Sequence, residues 1–273
     1  MSEAPFAAAE HMPTDLVDAH VHLFSQFGDF SVQRSVSFLN SVSESDWELV
    51  CRAAQFRSAE GPILDLEKNA EGWIVPFLGI HPWAVLAAGA GWDERLETLL
   101  RRMPNAGVGE VGLDAWKPEL QGRAAVCLQK TFFQRQLALA VELGRPVSIH
   151  CVRAWELLWA FARPILSGKP IPILFHAFSG SPQLVTQILE KEKWNAFFSL
   201  ASFRFQPQRP KSRALLRAIP KERLLLETDA ESAESAKTLP WLYGSAAECL
   251  GISEVDLAKQ MRENAQRFLD GTA

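Results

Sequence analysis

The sequence predicts a single (β/α)8 barrel of the TIM type, and three observations carry that reading. Eight short apolar runs alternate with amphipathic stretches between Leu16 and about Phe268, the rhythm of repeated βα units. The 273 residues suit one such barrel, which takes roughly 250. No linker, composition break or longer repeat divides them.

Strands are expected over 16–22, 35–42, 73–81, 106–113, 146–151, 171–178, 195–201 and 223–229. Helices are expected between them over 46–55, 93–103, 124–143, 154–162, 182–191 and 211–219, with a C-terminal pair across about 244–268. In the third of these Phe133, Leu137, Ala140 and Val141 fall at i, i+4, i+7 and i+8 and share one face, and Gly144 stops the helix. Asp46 and Ser181 are placed as N-caps. Residues 1–13 read as a short leader and 14–273 as one domain.

Hydrophobic residues make up 48% and charged residues 22%, a globular rather than a disordered or fibrous mixture. Cys51, Cys127, Cys151 and Cys249 are scattered and form no C-x-x-C pair, which excludes a zinc ribbon and favours a reducing compartment. The N-terminus lacks a charged start followed by an apolar core, so a cytoplasmic location is expected. The uncharged stretch 72–92 has membrane-spanning length, but Pro76, Pro82 and His81 argue against a span. A formal charge of −4 excludes a generally basic, nucleic-acid-coating surface. It leaves room for an anionic substrate at a site where bound cations reverse the local charge.

Five of the six histidines, His20, His22, His81, His150 and His176, fall at or near the end of an expected strand. In a barrel those ends converge on one mouth, so groups far apart in sequence can meet. Glu110 and Asp229 occupy the same kind of position. His20 and His22 flank Val21, and residues i and i+2 of a strand share a face and can grip one metal. An isolated H-x-H is weak evidence. Four further polar groups ending apolar strands strengthen it, because each is costly there without a partner. Imidazole and carboxylate together suit magnesium, manganese or zinc without choosing among them. Asp18, one step deeper on the same face, is expected to orient a ligand histidine, Asp114 to cap a loop, and Cys151 to face away from His150 into packing. Trp47, Trp155 and Trp159 are expected to be packing groups.

The segments DAHVHL, GIHPW, GEVGLD, SIHC, HAFSG, LLLETDA and ENAQRFL, in that order, span nearly the whole chain, which through them resembles the TatD family of metal-dependent deoxyribonucleases among the amidohydrolase-like barrels. The resemblance implies two divalent metal ions: His20, His22 and Asp229 on one, His150 and His176 on the other, and Glu110 bridging. His81 would face the substrate phosphate. Three departures stand at the mouth: Trp83 where the family commonly has a second histidine, Val152 and Arg153 for an Arg-Asp pair, and Glu231 for a proline.

Such a centre activates water for attack on phosphorus. Asp229 would accept the proton, and Glu110 and His81 complete the catalytic set. The expected substrate is DNA, as single strands or strand ends, with no membrane role and no obligatory protein partner. The same apparatus attacks carbonyl carbon, so a carboxyl-ester or amide hydrolase is the alternative, and a non-catalytic binding barrel a third reading. Aromatic and basic residues mix after the fourth and seventh strands: Trp116 and Lys117, then Phe203, Arg204, Phe205, Arg209, Lys211 and Arg213. Single-stranded nucleic acid is often held that way, and Trp83, Lys117, Arg204 and Arg209 are candidate substrate contacts. Pro207, Gln208 and Pro210 fit a plain solvated turn equally well.

Overall fold

The computed structural model describes residues 16–23, 36–55 and 73–272; the leader expected at 1–13 and the start of the second expected strand lie outside them. Eight parallel strands pair in sequence order: β1 Val17–His22, β2 Val36–Asn40, β3 Trp73–Leu78, β4 Gly107–Asp114, β5 Val147–Val152, β6 Ile173–Phe175, β7 Ala196–Ala201 and β8 Leu224–Glu227. The sheet closes on itself where Asp229 N–H donates to the His20 carbonyl and His22 N–H to the Ala230 carbonyl, each at 2.9 Å. The expected (β/α)8 barrel is the observed one, and its seam runs through three of the expected metal-site residues.

The helices are α1 Trp47–Gln55, α2 Trp92–Arg102, α3 Arg123–Leu143, α4 Trp155–Leu166, α5 Pro182–Thr186, α6 Pro210–Ala218, α7 Ala233–Ala236, α8 Leu239–Leu250 and α9 Glu254–Asp270. Gly144 ends α3 in the left-handed region at φ 63°, and Ser181 caps α5 by accepting the Leu184 N–H. Several boundaries differ from expectation. Ser43 rather than Asp46 opens the first helical turn; Asp46 sits three residues inside it, its carboxylate accepting the Val42 and Ser43 N–H groups. The helix expected over 182–191 loosens after Thr186 into a π-helical stretch, Gln187–Glu192. The C-terminal pair begins at Leu239, because Pro240 is tolerated in a first turn, where its missing N–H costs nothing.

Below the mouth the barrel is filled by aromatic rings. Phe268 of α9 stacks on Phe38 and Phe77 with centroids 5.7 and 6.0 Å apart. Asn264, in the same ENAQRFL segment, donates to the Leu224 and Lys221 carbonyls and ties α9 to β8. Tyr243 of α8 donates to the Val17 carbonyl and accepts the Val17 N–H, anchoring β1. Trp159 is buried between Trp155 and Trp194, and Trp155 packs against Phe175 and Phe178, as expected of packing groups. Among the described residues no helix is long and apolar enough to cross a membrane.

Strand β4 carries glycine where neighbours press closest. A Cβ on Gly112 would lie 2.0 Å from the His150 carbonyl oxygen, a backbone atom that moves only with β5. Gly112→Ala is therefore expected to lower stability by about 1–3 kcal/mol, as overpacking does, and to displace His150. Chemical denaturation measures this; an unchanged midpoint would show that β4 and β5 are less tightly seated than described.

Candidate metal centre at the barrel mouth

Seven side chains meet where the strands end. His20 and His22 come from β1, Glu110 from β4 and His150 from β5. The other three lie just past their strands: His176 one residue after β6, Asp229 two after β8 and His81 three after β3. The expected third strand stops short of His81 because Val42 carbonyl takes the His81 N–H and Pro82, with no N–H, starts a 3-10 turn.

Glu110 is the hub, buried and facing five imidazoles. Its Oε2 lies 3.2 Å from His20 Nε2 and 3.3 Å from His22 Nε2. Its Oε1 lies 2.7 Å from His176 Nε2, 2.8 Å from His150 Nδ1 and 3.2 Å from His81 Nε2. Asp229 Oδ1 sits 3.4 Å from His22 Nε2 and 3.9 Å from His20 Nε2. Among the described residues, donor atoms within 4.8 Å of one another form three groups that could hold a metal ion: His20, His22 and Glu110; His20, His176 and Asp229; and His81, Glu110 and His150.

The outer ring nitrogens decide which inner nitrogens carry a lone pair. His22 Nδ1 donates to the Asn40 carbonyl at 3.2 Å, leaving Nε2 free to bind a cation when the ring is neutral. His176 Nδ1 faces Glu227 Oε1 at 3.4 Å and His150 Nε2 faces Asp114 Oδ2 at 3.4 Å, which turn His176 Nε2 and His150 Nδ1 inward as acceptors. His20 Nδ1 pairs with Ser148 Oγ at 3.1 Å. His81 is the opposite case: its Nδ1 accepts the Trp83 N–H at 3.0 Å, so the neutral ring carries its proton on the inward Nε2.

Charge follows the same division. Burial opposes ionisation of Glu110, yet His81, His176 and His20 hold its carboxyl well below the usual range. Burial also opposes charge on His22, but the Asp229 and Glu110 carboxylates push its pKa up to about 10. His176 is raised well above its ordinary value, with Glu110 outweighing burial, and His150 is raised by Asp114 and Glu110 against burial. Burial lowers His81 to about 4, so it stays neutral near pH 7. Without metal, the carboxylates are balanced by protons on buried imidazoles. Divalent cations would take the place of those protons, and the donor set fits them.

Around this cluster the structure adds one carboxylate that the strand pattern did not single out and rewires others that it did. Glu227, fully buried, accepts the Ala177 N–H at 2.6 Å and faces His176; its only sequence signal is a carboxylate closing the apolar run LLLE. Asp18, expected to orient a ligand histidine, meets the backbone of His20 rather than an imidazole. It accepts the N–H and hydroxyl of Thr228 at 2.8 and 2.6 Å, bracing the residue before Asp229, and burial pushes its carboxyl up to about 7. Asp114 caps the following loop through the Trp116 and Lys117 N–H groups, as expected, and also takes the Trp83 indole N–H at 2.7 Å. Lys117 Nζ lies 3.4 Å from the Trp83 ring centroid. The Arg204 guanidinium covers Phe203 at 5.1 Å, and Arg209 is the residue that precedes α6. Cys151 turns from the cluster, and burial pushes its thiol up to about 12.

The sequence profile of the family described as TatD related DNase matches residues 17–270. A protein of Edwardsiella piscicida named "3'-5' ssDNA/RNA exonuclease TatD" is 35% identical over 153 residues, 56% of this chain and 56% of its own length. "Deoxyribonuclease TATDN3" of Homo sapiens is 26% identical over 270 residues, covering 93% of this chain and 94% of its own. The match spans only about half the length of the first two relatives, 56% and 55%. The crystal structure of a hydrolase TatD family protein from Entamoeba histolytica shares the fold, with a TM-score of 0.73 at 17% identity over 94% of this chain and 99% of that one. Because the profile match runs from β1 to the end of α9 and takes in every segment that supplies the cluster, the chain belongs to the TatD related DNase family.

Proposed function

We propose that the chain is a divalent-metal-dependent hydrolase that cleaves phosphodiester bonds of nucleic acid, on two ions at the barrel mouth. The observation that carries this reading is the division of Glu110: one carboxylate oxygen faces His20 and His22, the other His150 and His176. A carboxylate shared in this way suits a bridge between two cations. His20, His22 and Asp229 would hold the first ion, and His150 and His176 the second; magnesium, manganese and zinc all suit the donors. The barrel, read as one domain from residue 14, supplies every ligand.

Bound there, the ions would lower the pKa of water and offset charge on the phosphoryl oxygens. Asp229, ionised and held beside the cluster, accepts the proton from the attacking water at its carboxylate. His81, neutral with its proton on Nε2, donates a hydrogen bond to a phosphoryl oxygen as charge builds there. The new bond forms between the water oxygen and phosphorus, the bond from phosphorus to the sugar oxygen breaks, and that oxygen leaves as a hydroxyl with a proton taken from solvent. Asp114 and Glu227 keep His150 and His176 turned inward. Trp83, Lys117, Arg204 and Arg209 on the rim are the candidate contacts to the strand. The names of the relatives, which specify single-stranded DNA or RNA and deoxyribonuclease activity, support nucleic acid strands as substrate. Four free cysteines support a reducing, cytoplasmic setting.

Purified protein offered single-stranded DNA, duplex DNA, RNA, a cyclic nucleotide, a lactone and an aminoacyl ester is expected to hydrolyse the strands, to stop in EDTA and to recover with added metal. Turnover confined to the lactone or aminoacyl ester would replace phosphorus by carbonyl carbon as the point of attack. In the same assay His81→Ala is expected to lower kcat by ~10²–10³-fold, the effect of removing one transition-state donor, with metal content unchanged. Loss of metal in that variant would make His81 a ligand instead.

A further inference from the structure

Between the loops that follow β6 and β7 lies a bay of about 800 Å³. One wall begins at Phe178, two residues beyond His176, and the other is the turn from Ala201 to Gln206. That turn is firmly held: Arg204 and Phe205 both donate N–H bonds to the Ala201 carbonyl, at 3.0 and 2.9 Å, and Ser202 donates to the Glu227 carbonyl at 3.0 Å. Phe205 is buried beneath it, while Phe203 stands 58% exposed. The Arg204 guanidinium lies over the Phe203 ring, and Lys211 adds a second cation to the lining.

The placement of exposed rings elsewhere points the same way. Among the described residues the exposed aromatics are Trp83, Trp116, Phe203 and Trp241; the first three lie directly after β3, β4 and β7, and Trp241 lies in α8. Three of the four rings therefore stand on the face that carries the histidine cluster. Planar faces interleaved with cations match unpaired bases on a phosphate backbone, whereas a duplex keeps its base faces covered by their neighbours.

We propose that this bay receives an unpaired nucleobase of the strand being cleaved, stacked on Phe203, with the adjoining backbone phosphates taken by Arg204 and Lys211. The proposal rests on the phosphodiesterase reading above and adds to it the part of the substrate that is gripped. A duplex end must fray before its base can enter, so Phe203 sets the preference for single strands.

The test compares wild type, Phe203→Ala, Phe203→Trp and Lys211→Ala. Each is assayed on a single-stranded thymidine oligonucleotide and on an abasic oligonucleotide of the same length, a phosphodiester chain without a planar ring. Binding of the fluorescein-labelled oligonucleotide is measured separately by anisotropy in EDTA, where cleavage is stopped. Stacking on one aromatic side chain has a typical worth that gives Phe203→Ala a roughly 10-fold higher KM and Kd for the oligonucleotide. Phe203→Trp should restore both, turnover of the abasic oligonucleotide should be unchanged in the Phe203 variants, and Lys211→Ala should flatten the salt dependence of binding. Unchanged KM and Kd in Phe203→Ala, or equal losses on both substrates, would overturn the proposal while leaving wild-type hydrolysis in place. If wild type binds the labelled strand, with the Phe203 dependence described, yet cleaves no phosphodiester with any added metal, the activity reading fails and the base subsite stands.

Discussion

Glu110→Gln is expected to abolish hydrolysis, by ~10⁴-fold or more in kcat, on the scale seen when a member of a catalytic ensemble that acts as a unit is removed. The change is nearly isosteric, so packing in β4 survives. Its chemistry does not. A carboxylate offers acceptor oxygens to both halves of the cluster, where His20 and His22 face one oxygen and His150 and His176 the other. An amide offers one oxygen and one NH2, and the NH2, a donor with no lone pair to give, cannot ligate a cation. Metal content measured by mass spectrometry should fall from two ions per chain to one or none. Full metal content and activity in this variant would show that Glu110 bridges nothing.

Asp229→Asn is expected to lower kcat by ~10²–10⁴-fold, the usual contribution of a positioned proton acceptor. A second effect belongs to the metal-free protein. Burial opposes charge on His22, and the Asp229 and Glu110 carboxylates overcome it to raise the pKa from 6.5 to about 10. The sign follows directly. The contribution of a raised histidine pKa is fully present below pH 6.5 and is lost as pH rises through about 10. On the acid side Asp229 must be ionised: burial opposes this, His22 lowers its pKa, and its contribution is present above 3.8 and lost at lower pH. Thermal unfolding of metal-stripped wild type and variant should differ most between pH 3.8 and 6.5 and converge as pH climbs past about 10. A gap that does not change with pH would mean the two side chains are uncoupled.

The barrel was legible because alternation of apolar runs with amphipathic stretches survives in a single sequence, even for β6, which shortens to Ile173–Phe175. The cluster was legible because polar residues at the ends of apolar strands have one common destination in this fold. Its inner wiring was not. Asp18 reaches Thr228, 210 residues away, only because β8 closes on β1. The register slips between Asp18 and Val21 and between Val108 and Val111, and such slips re-aim side chains in ways that strict alternation cannot foresee. Trp83 gave no hint that its indole would hold Asp114, nor His81 that a backbone N–H at Nδ1 would turn its proton inward, because both depend on a loop bent by Pro82.

The most direct measurement is an anomalous difference map from crystals of this protein soaked in manganese. Two peaks are expected, one beside His20, His22 and Asp229 and the other beside His150 and His176, with Glu110 between them. A single peak away from Glu110, or none under conditions where the protein hydrolyses DNA, would contradict the proposed centre.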